Sequence, residues 1–137
     1  MADVDHFKSI NDAYGHAFGD TALSAVSQIL LENSRTEDVV CRYGGEEFAL
    51  LLPGIEIEGA LAFAERLRRI VSESTQLHSG QQVKLTCSFG VSMVGPSDGA
   101  EASPIQLADQ ALYDAKRGGR NRVIASRLQL CEAVSAG

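Results

Sequence analysis

Val39-Val40-Cys41-Arg42-Tyr43-Gly44-Gly45-Glu46-Glu47-Phe48-Ala49-Leu50-Leu51-Leu52 is the stretch on which the fold turns. Val39 to Tyr43 is a short β-branched run, and Phe48 to Leu52 is a second, wholly apolar one. Two such runs joined at a glycine pair predict a β-hairpin, because glycine supplies the positive φ that hairpin turns need. The second run is apolar on both faces, which predicts a strand central in a sheet covered on both sides.

Working outward, Ala22, Leu23, Val26, Ile29 and Leu30 fall at helical spacing, predicting a helix over 19–34. Ala60, Phe63, Ala64, Leu67, Ile70 and Val71 predict another over 57–72. Val83, Leu85, Cys87, Phe89 and Val91 alternate with Lys84, Thr86, Ser88 and Ser92, the pattern of one strand with one buried face. Gly95 to Ala102 reads as a loop. Ser103-Pro104-Ile105-Gln106 is a helix start, with Ser as N-cap, Pro first in the helix and Gln closing a capping box. That helix runs to Lys116 and ends at Gly118-Gly119. Val123-Ile124 reads as a last strand, and 127–137 as a loose or helical tail. Periodicity alone therefore predicts one α/β domain.

The bulk numbers agree. The chain has 137 residues, 45% apolar and 22% charged, which suits one soluble domain with one core. No apolar run approaches the ~20 residues that span a bilayer, so no membrane contact is expected from this segment. Asp3 and Asp5 follow Met1 where a signal peptide would be basic and then apolar. The net charge of −6 argues against a nucleic-acid polymer as partner. A nucleotide is still compatible, if a metal ion or an arginine cluster inverts the local field. Cys41, Cys87 and Cys131 are odd in number and scattered, which predicts reduced thiols and a cytoplasmic location.

Two segments carry candidate chemistry. In Gly44-Gly45-Glu46-Glu47-Phe48 the bland reading is a tight turn with two solvated glutamates. The sharper one is that the glycines admit a phosphate or base to the backbone while a neighbouring carboxylate holds a divalent metal. Strand alternation predicts that Glu46 and Glu47 point to opposite faces. In Asp3-Val4-Asp5 the two carboxylates share a face if the segment is extended, and one or two carboxylates plus substrate phosphates are a common Mg²⁺ set. The alternative is a solvated acidic terminus.

These segments fall into a longer order: Asp3-x-Asp5-x-Phe7-Lys8, Ile10-Asn11-Asp12-x-Tyr14-Gly15-His16-x-x-Gly19-Asp20, Arg42 to Phe48, Ser88-Phe89-Gly90-Val91, Ala108 to Lys116, and Gly119-Arg120-Asn121. The order and spacing resemble the GGDEF family of diguanylate cyclases, in the variant with Glu at the third motif position. The likeness spans residues 3–124, and a domain over 3–126 is expected. The resemblance implies a nucleotide-cyclase, palm-like fold with a central, mostly antiparallel sheet flanked by helices. It also implies a reaction: two GTP condense to cyclic di-GMP and release two pyrophosphates. Each 3′-hydroxyl attacks the other α-phosphate, so two domains face each other as a homodimer at the moment of reaction.

Carried over by motif position, Asp3 and Glu46 would ligate Mg²⁺ (or Mn²⁺), with Val4 offering its carbonyl. Glu46 and Glu47 would be the catalytic acids, with no general base assigned. Gly44 and Gly45 would lie against substrate. Asn11 and Asp20 would read guanine, whose N1–H and 2-amino donors adenine lacks. Lys116 and Arg120 would hold the outer phosphates; their alternative role is as cations favourable near a helix C-terminus. Arg35-Thr36-Glu37-Asp38 matches the family's inhibitory Arg-x-x-Asp product site, with Arg66 in support. Arg offers a planar fork to guanine or phosphate there, and Asp accepts from the guanine edge.

Family domains begin earlier than this sequence does. The chain is therefore expected to lack the first helix and most of the first strand, with only Met1 and Ala2 ahead of Asp3. Two residues anchor a strand poorly, because termini fray. Impaired cyclase activity, retained nucleotide binding and self-association through a gap in the sheet are the corresponding expectations. The competing functions are a module that only binds cyclic di-GMP or GTP, and a regulatory dimerisation domain. An ATP cyclase is disfavoured by Asn11 and Asp20.

Overall fold

The computed structural model describes residues 1–94 and 103–126; the loop and tail expected over 95–102 and 127–137 lie outside the described residues, as does Cys131. The elements run β1 (Ala2–Val4), α1 (Phe7–Tyr14), α2 (His16–Glu32), β2 (Val39–Arg42), β3 (Glu47–Leu51), α3 (Ile57–Glu73), β4 (Thr75–His78), β5 (Gln81–Lys84), β6 (Cys87–Val91), α4 (Pro104–Arg117) and β7 (Val123–Ala125). The main sheet has five strands in the order β2-β3-β1-β6-β7, and β4 pairs β5 in a separate two-stranded sheet. Pairing is antiparallel at β2–β3, β3–β1 and β1–β6, and parallel at β6–β7. The mixed α/β architecture with a mostly antiparallel sheet is the one expected.

The predicted hairpin is present, with Val39 opposite Leu51 and Arg42 opposite Phe48. Arg42 braces its turn, donating from Nε to the Gly44 and Gly45 carbonyls at 3.2 and 3.0 Å and from Nη2 to Gly45 at 2.6 Å. β3 lies inside the sheet, yet only Phe48 in it is buried. The far end of β3 opens on an apolar cavity of about 560 Å³ that Leu51, Phe63 and Val91 help to line. The two-sided cover expected of β3 is therefore incomplete.

One face of the sheet packs against α2 and α3. Ala2, Val4, Phe48, Cys87 and Phe89 form a single cluster there with Ala22, Leu23, Val26 and Leu30 of α2 and Ala64, Leu67 and Val71 of α3. Burying one Leu such as Leu30 or Leu67 contributes about 1.5–3 kcal/mol. α4 covers the other face, where Ser88 and Gly90 are buried beneath it. Its start has both reciprocal bonds of the predicted capping box: Gln106 N donates to Ser103 Oγ (3.3 Å) and Ser103 N donates to Gln106 Oε1 (2.9 Å).

Three expectations are corrected. The strand expected over Val83–Ser92 is two strands, because pairing switches from β4 to β1 between Lys84 and Cys87. Its second part is buried on both faces, because α4 covers the side that Ser88 occupies. The first strand is not unanchored. Ala2 pairs with Phe48 on one side and Phe89 on the other, Gly90 N donates to the Met1 carbonyl (2.8 Å), and the Ala2 and Val4 side chains are buried. Three residues suffice because both neighbours are present. There is accordingly no gap in the sheet at β1; its outer strands are β2 and β7.

Candidate active site

β1 delivers Asp3 to the centre of the sheet directly opposite Glu47 of β3. Val4 ends the strand, and its amide donates to the Glu46 carbonyl at 3.1 Å. The backbone therefore brings residues 3, 46 and 47 together from 43 positions apart (46 − 3). Glu47 opens β3 and Glu46 belongs to the bend before it, so the strand's regular alternation does not extend to Glu46. Both lie close enough to oppose ionisation of Asp3.

Asp3 is only 4% exposed, not a solvated terminal acid. Its Oδ2 meets Lys116 Nζ of α4 at 2.8 Å. Burial is the main force on this carboxyl and pushes its pKa up to about 6; the Lys116 hydrogen bond and charge pull the other way, and Glu46 and Glu47 push it up further. Lys116 is thus a tethered cation on the carboxylate, at the place where its motif position implies a phosphate contact.

The donors gathered here are carboxylate and carbonyl oxygens, which suit a hard cation such as Mg²⁺ or Mn²⁺. Among the described residues no three His, Cys, Asp or Glu side chains converge to hold a metal alone. Two carboxylates with substrate phosphates completing the shell is the ordinary Mg²⁺ arrangement, and Asp3 with Glu46 fits it. A Cβ at Gly45 would meet nothing within 4 Å, so the turn leaves open space on the solvent side.

Asp5 does not join Asp3. It is 4% exposed and accepts from Thr86 Oγ1 (2.7 Å), Ser88 Oγ (2.7 Å) and the Asn121 amide (3.0 Å). Its place is that of an internal anchor between β6 and the turn after α4. Arg120 lies in that turn, its amide bonded to the Ala115 carbonyl at 3.0 Å.

Asn11 of α1 packs against Gly19 of α2 so closely that a Cβ at Gly19 would overlap its Oδ1 and come within 2.9 Å of its Cγ. Among the described residues, Asn11 Oδ1 is buried with no hydrogen-bond partner. An unpaired buried acceptor is costly, and a donor arriving on a ligand would relieve it. Asp20, next to Gly19, is exposed.

Arg35, Asp38 and Arg66 also come together, at a second cavity of about 500 Å³ that Leu52, Ile55 and Phe63 help to line. Arg35 Nη2 donates to Asp38 Oδ1 (3.0 Å) and to the Pro53 carbonyl (2.9 Å), and its backbone N donates to Asp38 Oδ2 (2.8 Å). Arg66 sits 5.2 Å over the Phe63 ring and donates to the Asn33 carbonyl at 3.1 Å. Sequence reasoning missed Arg42 as a brace; the signal was its place directly ahead of the glycine turn.

The chain matches the family described as diguanylate cyclase, GGDEF domain, over residues 1–122. It belongs to the GGDEF family. It is 42% identical over 133 residues to diguanylate cyclase A of Treponema denticola, covering 97% of this chain and 36% of that protein. It is 40% identical over 126 residues to response regulator PleD of Caulobacter vibrioides, covering 90% of this chain and 28% of that protein. The chain thus spans about a third of the length of these curated relatives. Among solved structures, the GGDEF domain of DgcB from Caulobacter crescentus, in complex with c-di-GMP, superposes with a TM-score of 0.86 at 34% identity, covering 91% of this chain and 74% of that one. The active GGEEF domain of a diguanylate cyclase from Vibrio cholerae superposes with a TM-score of 0.83 at 34% identity, covering 92% and 80%. No described helix is long and apolar enough to cross a membrane.

Proposed function

We propose that this GGDEF domain condenses two GTP to cyclic di-GMP with Mg²⁺ (or Mn²⁺). The observation that carries the reading is the meeting of Asp3 with Glu46 and Glu47 beside Lys116. Residues from both ends of the chain converge there on one oxygen-rich, open-sided spot, which is what a phosphate-bound divalent ion requires. The bound ion would neutralise phosphate charge and stabilise the oxyanions of an in-line displacement.

The residues divide the remaining work. Asp3 and Glu46 hold the ion, with the Val4 carbonyl beside them, and Glu47 is the second acid of the motif. Gly44 and Gly45 let backbone approach the nucleotide. Lys116 and Arg120 hold the outer phosphates. Asn11 Oδ1 accepts from guanine, which would satisfy its missing partner, and Asp20 accepts from the same edge. Two such domains meet as a homodimer, each bringing one GTP, since the product is two-fold symmetric. Arg35, Asp38 and Arg66 form the inhibitory product site. The anchoring of β1 on both sides supports an active over an impaired domain.

Binding of 3′-deoxy-GTP, which lacks the attacking hydroxyl, tests the reading without turnover. Affinity is expected to require Mg²⁺ and to fall in Glu46→Ala. Equal affinity with and without the metal, or in the variant, would contradict it.

A further inference from the structure

Gly119, Arg120 and Asn121 follow α4 with φ of +121°, +62° and +44°. A glycine adopts such angles freely, but two successive side-chain-bearing residues do so only where their surroundings hold them. Those surroundings can be named. Asn121 N donates to buried Asp5 at 3.0 Å, and Asp5 is itself fixed by Thr86 and Ser88. Asn121 Oδ1 accepts from Arg68 Nη1 of α3 at 2.8 Å, across 53 residues of sequence. Arg68 is aimed by Glu65, which receives its Nε at 2.9 Å and its Nη2 at 2.6 Å. Neither Arg68 nor Asp5 has a role in the chemistry outlined above.

We infer that Arg68, aimed by Glu65, is a positioning residue for nucleotide phosphates: with Asp5 it locks Asn121 and so fixes the direction of Arg120. The inference rests on the proposed phosphate role of Arg120. Removing Arg68 releases the one side-chain clamp on the Asn121 side chain; Asp5 still holds the Asn121 amide, and Arg122 Nε still donates to the Arg120 carbonyl at 3.0 Å. Arg120 then samples other directions, and its contact with the outer phosphates weakens. A purely structural brace would act differently, since its loss would weaken every ligand alike.

The test measures 3′-deoxy-GTP and GMP binding, in Mg²⁺, for the wild type, Arg68→Ala, Arg120→Ala, the double variant and Asn121→Asp. Arg68→Ala is expected to weaken 3′-deoxy-GTP about 5- to 10-fold, less than the loss of a whole charge-assisted hydrogen bond because Arg120 is misdirected and not removed, and to leave GMP unchanged. In the Arg120→Ala background the same change is expected to cost nothing further, since both act through one contact. Asn121→Asp, which keeps an acceptor for Arg68, is expected to retain wild-type affinity. No effect of Arg68→Ala, an equal loss for GMP, or additive losses in the double variant would each overturn the inference while leaving the Arg120 role intact. An Arg120→Ala variant that binds 3′-deoxy-GTP normally would remove that role, and the inference with it.

Discussion

Gly90 is a point where α4 lies close against the sheet, and replacing it with alanine tests the packing that carries Lys116 to Asp3. A Cβ built there overlaps the Ala108 carbonyl oxygen and the Leu112 amide nitrogen, and stands 2.9 Å from Leu112 Cα. An ordinary carbon–carbon separation is about 3.5–4.0 Å, so α4 must retreat by about 1 Å. All three obstacles are helix backbone, so no rotamer change relieves them. Such overpacking costs about 1–3 kcal/mol. The loss of unfolded-chain freedom from Gly to Ala works the other way but gives back only about 0.4–1 kcal/mol, so destabilisation wins. For a domain of this size roughly 3–5 °C is lost per kcal/mol, and thermal unfolding followed by circular dichroism is expected to shift down by about 3–10 °C. The urea midpoint should fall in parallel with an unchanged slope. An unchanged or raised midpoint would refute the reasoning about this contact.

Three further outcomes follow from the site. Because burial raises the Asp3 pKa to about 6, the carboxylate is ionised above that pH and protonated below it, so metal affinity should fall about tenfold per pH unit below 6 and level off above it; Mn²⁺ titration followed by electron paramagnetic resonance between pH 5 and 7.5 checks this, and a flat profile counts against Asp3 as a ligand. Gly19→Ala evicts the Asn11 side chain and should weaken GTP about 3- to 10-fold while leaving ATP untouched, narrowing base selectivity; equal losses for both nucleotides would deny Asn11 a part in reading guanine. Arg35→Ala should reduce cyclic di-GMP affinity at least about tenfold, since a forked charge-assisted contact is lost, with GTP binding unchanged; calorimetry with product retained at wild-type affinity would rule out the product site.

Much of this was legible in the sequence because local chemistry and tertiary need coincided. The glycine pair announced the hairpin, and Ser103-Pro104-Ile105-Gln106 announced α4 down to its reciprocal cap. α1 was not read because it is short and polar, and only Ile10 in it is buried. β4 was missed for a related reason: its one strongly apolar residue, Leu77, is exposed. The break between β5 and β6 left no mark, since apolar alternation runs straight through Leu85 and Cys87. The Ser88 face looked solvated because nothing local reveals that α4 will cover it. At the site, motif order singled out Asp3, Glu46 and Lys116 as candidates, but not the ion pair in which Lys116 sits on Asp3. Asp5 looked like a second ligand by spacing alone. Its true partners, Thr86, Ser88 and Asn121, are more than 80 residues away and visible only once the sheet is formed.

The most direct test of the central claim is incubation of this chain, stripped of bound product, with GTP and Mg²⁺, followed by chromatography for cyclic di-GMP, with Glu46→Ala alongside. Cyclic di-GMP from the wild type and none from the variant is the predicted result; no cyclic di-GMP from wild-type protein saturated with GTP would contradict the assignment of this site as a diguanylate cyclase.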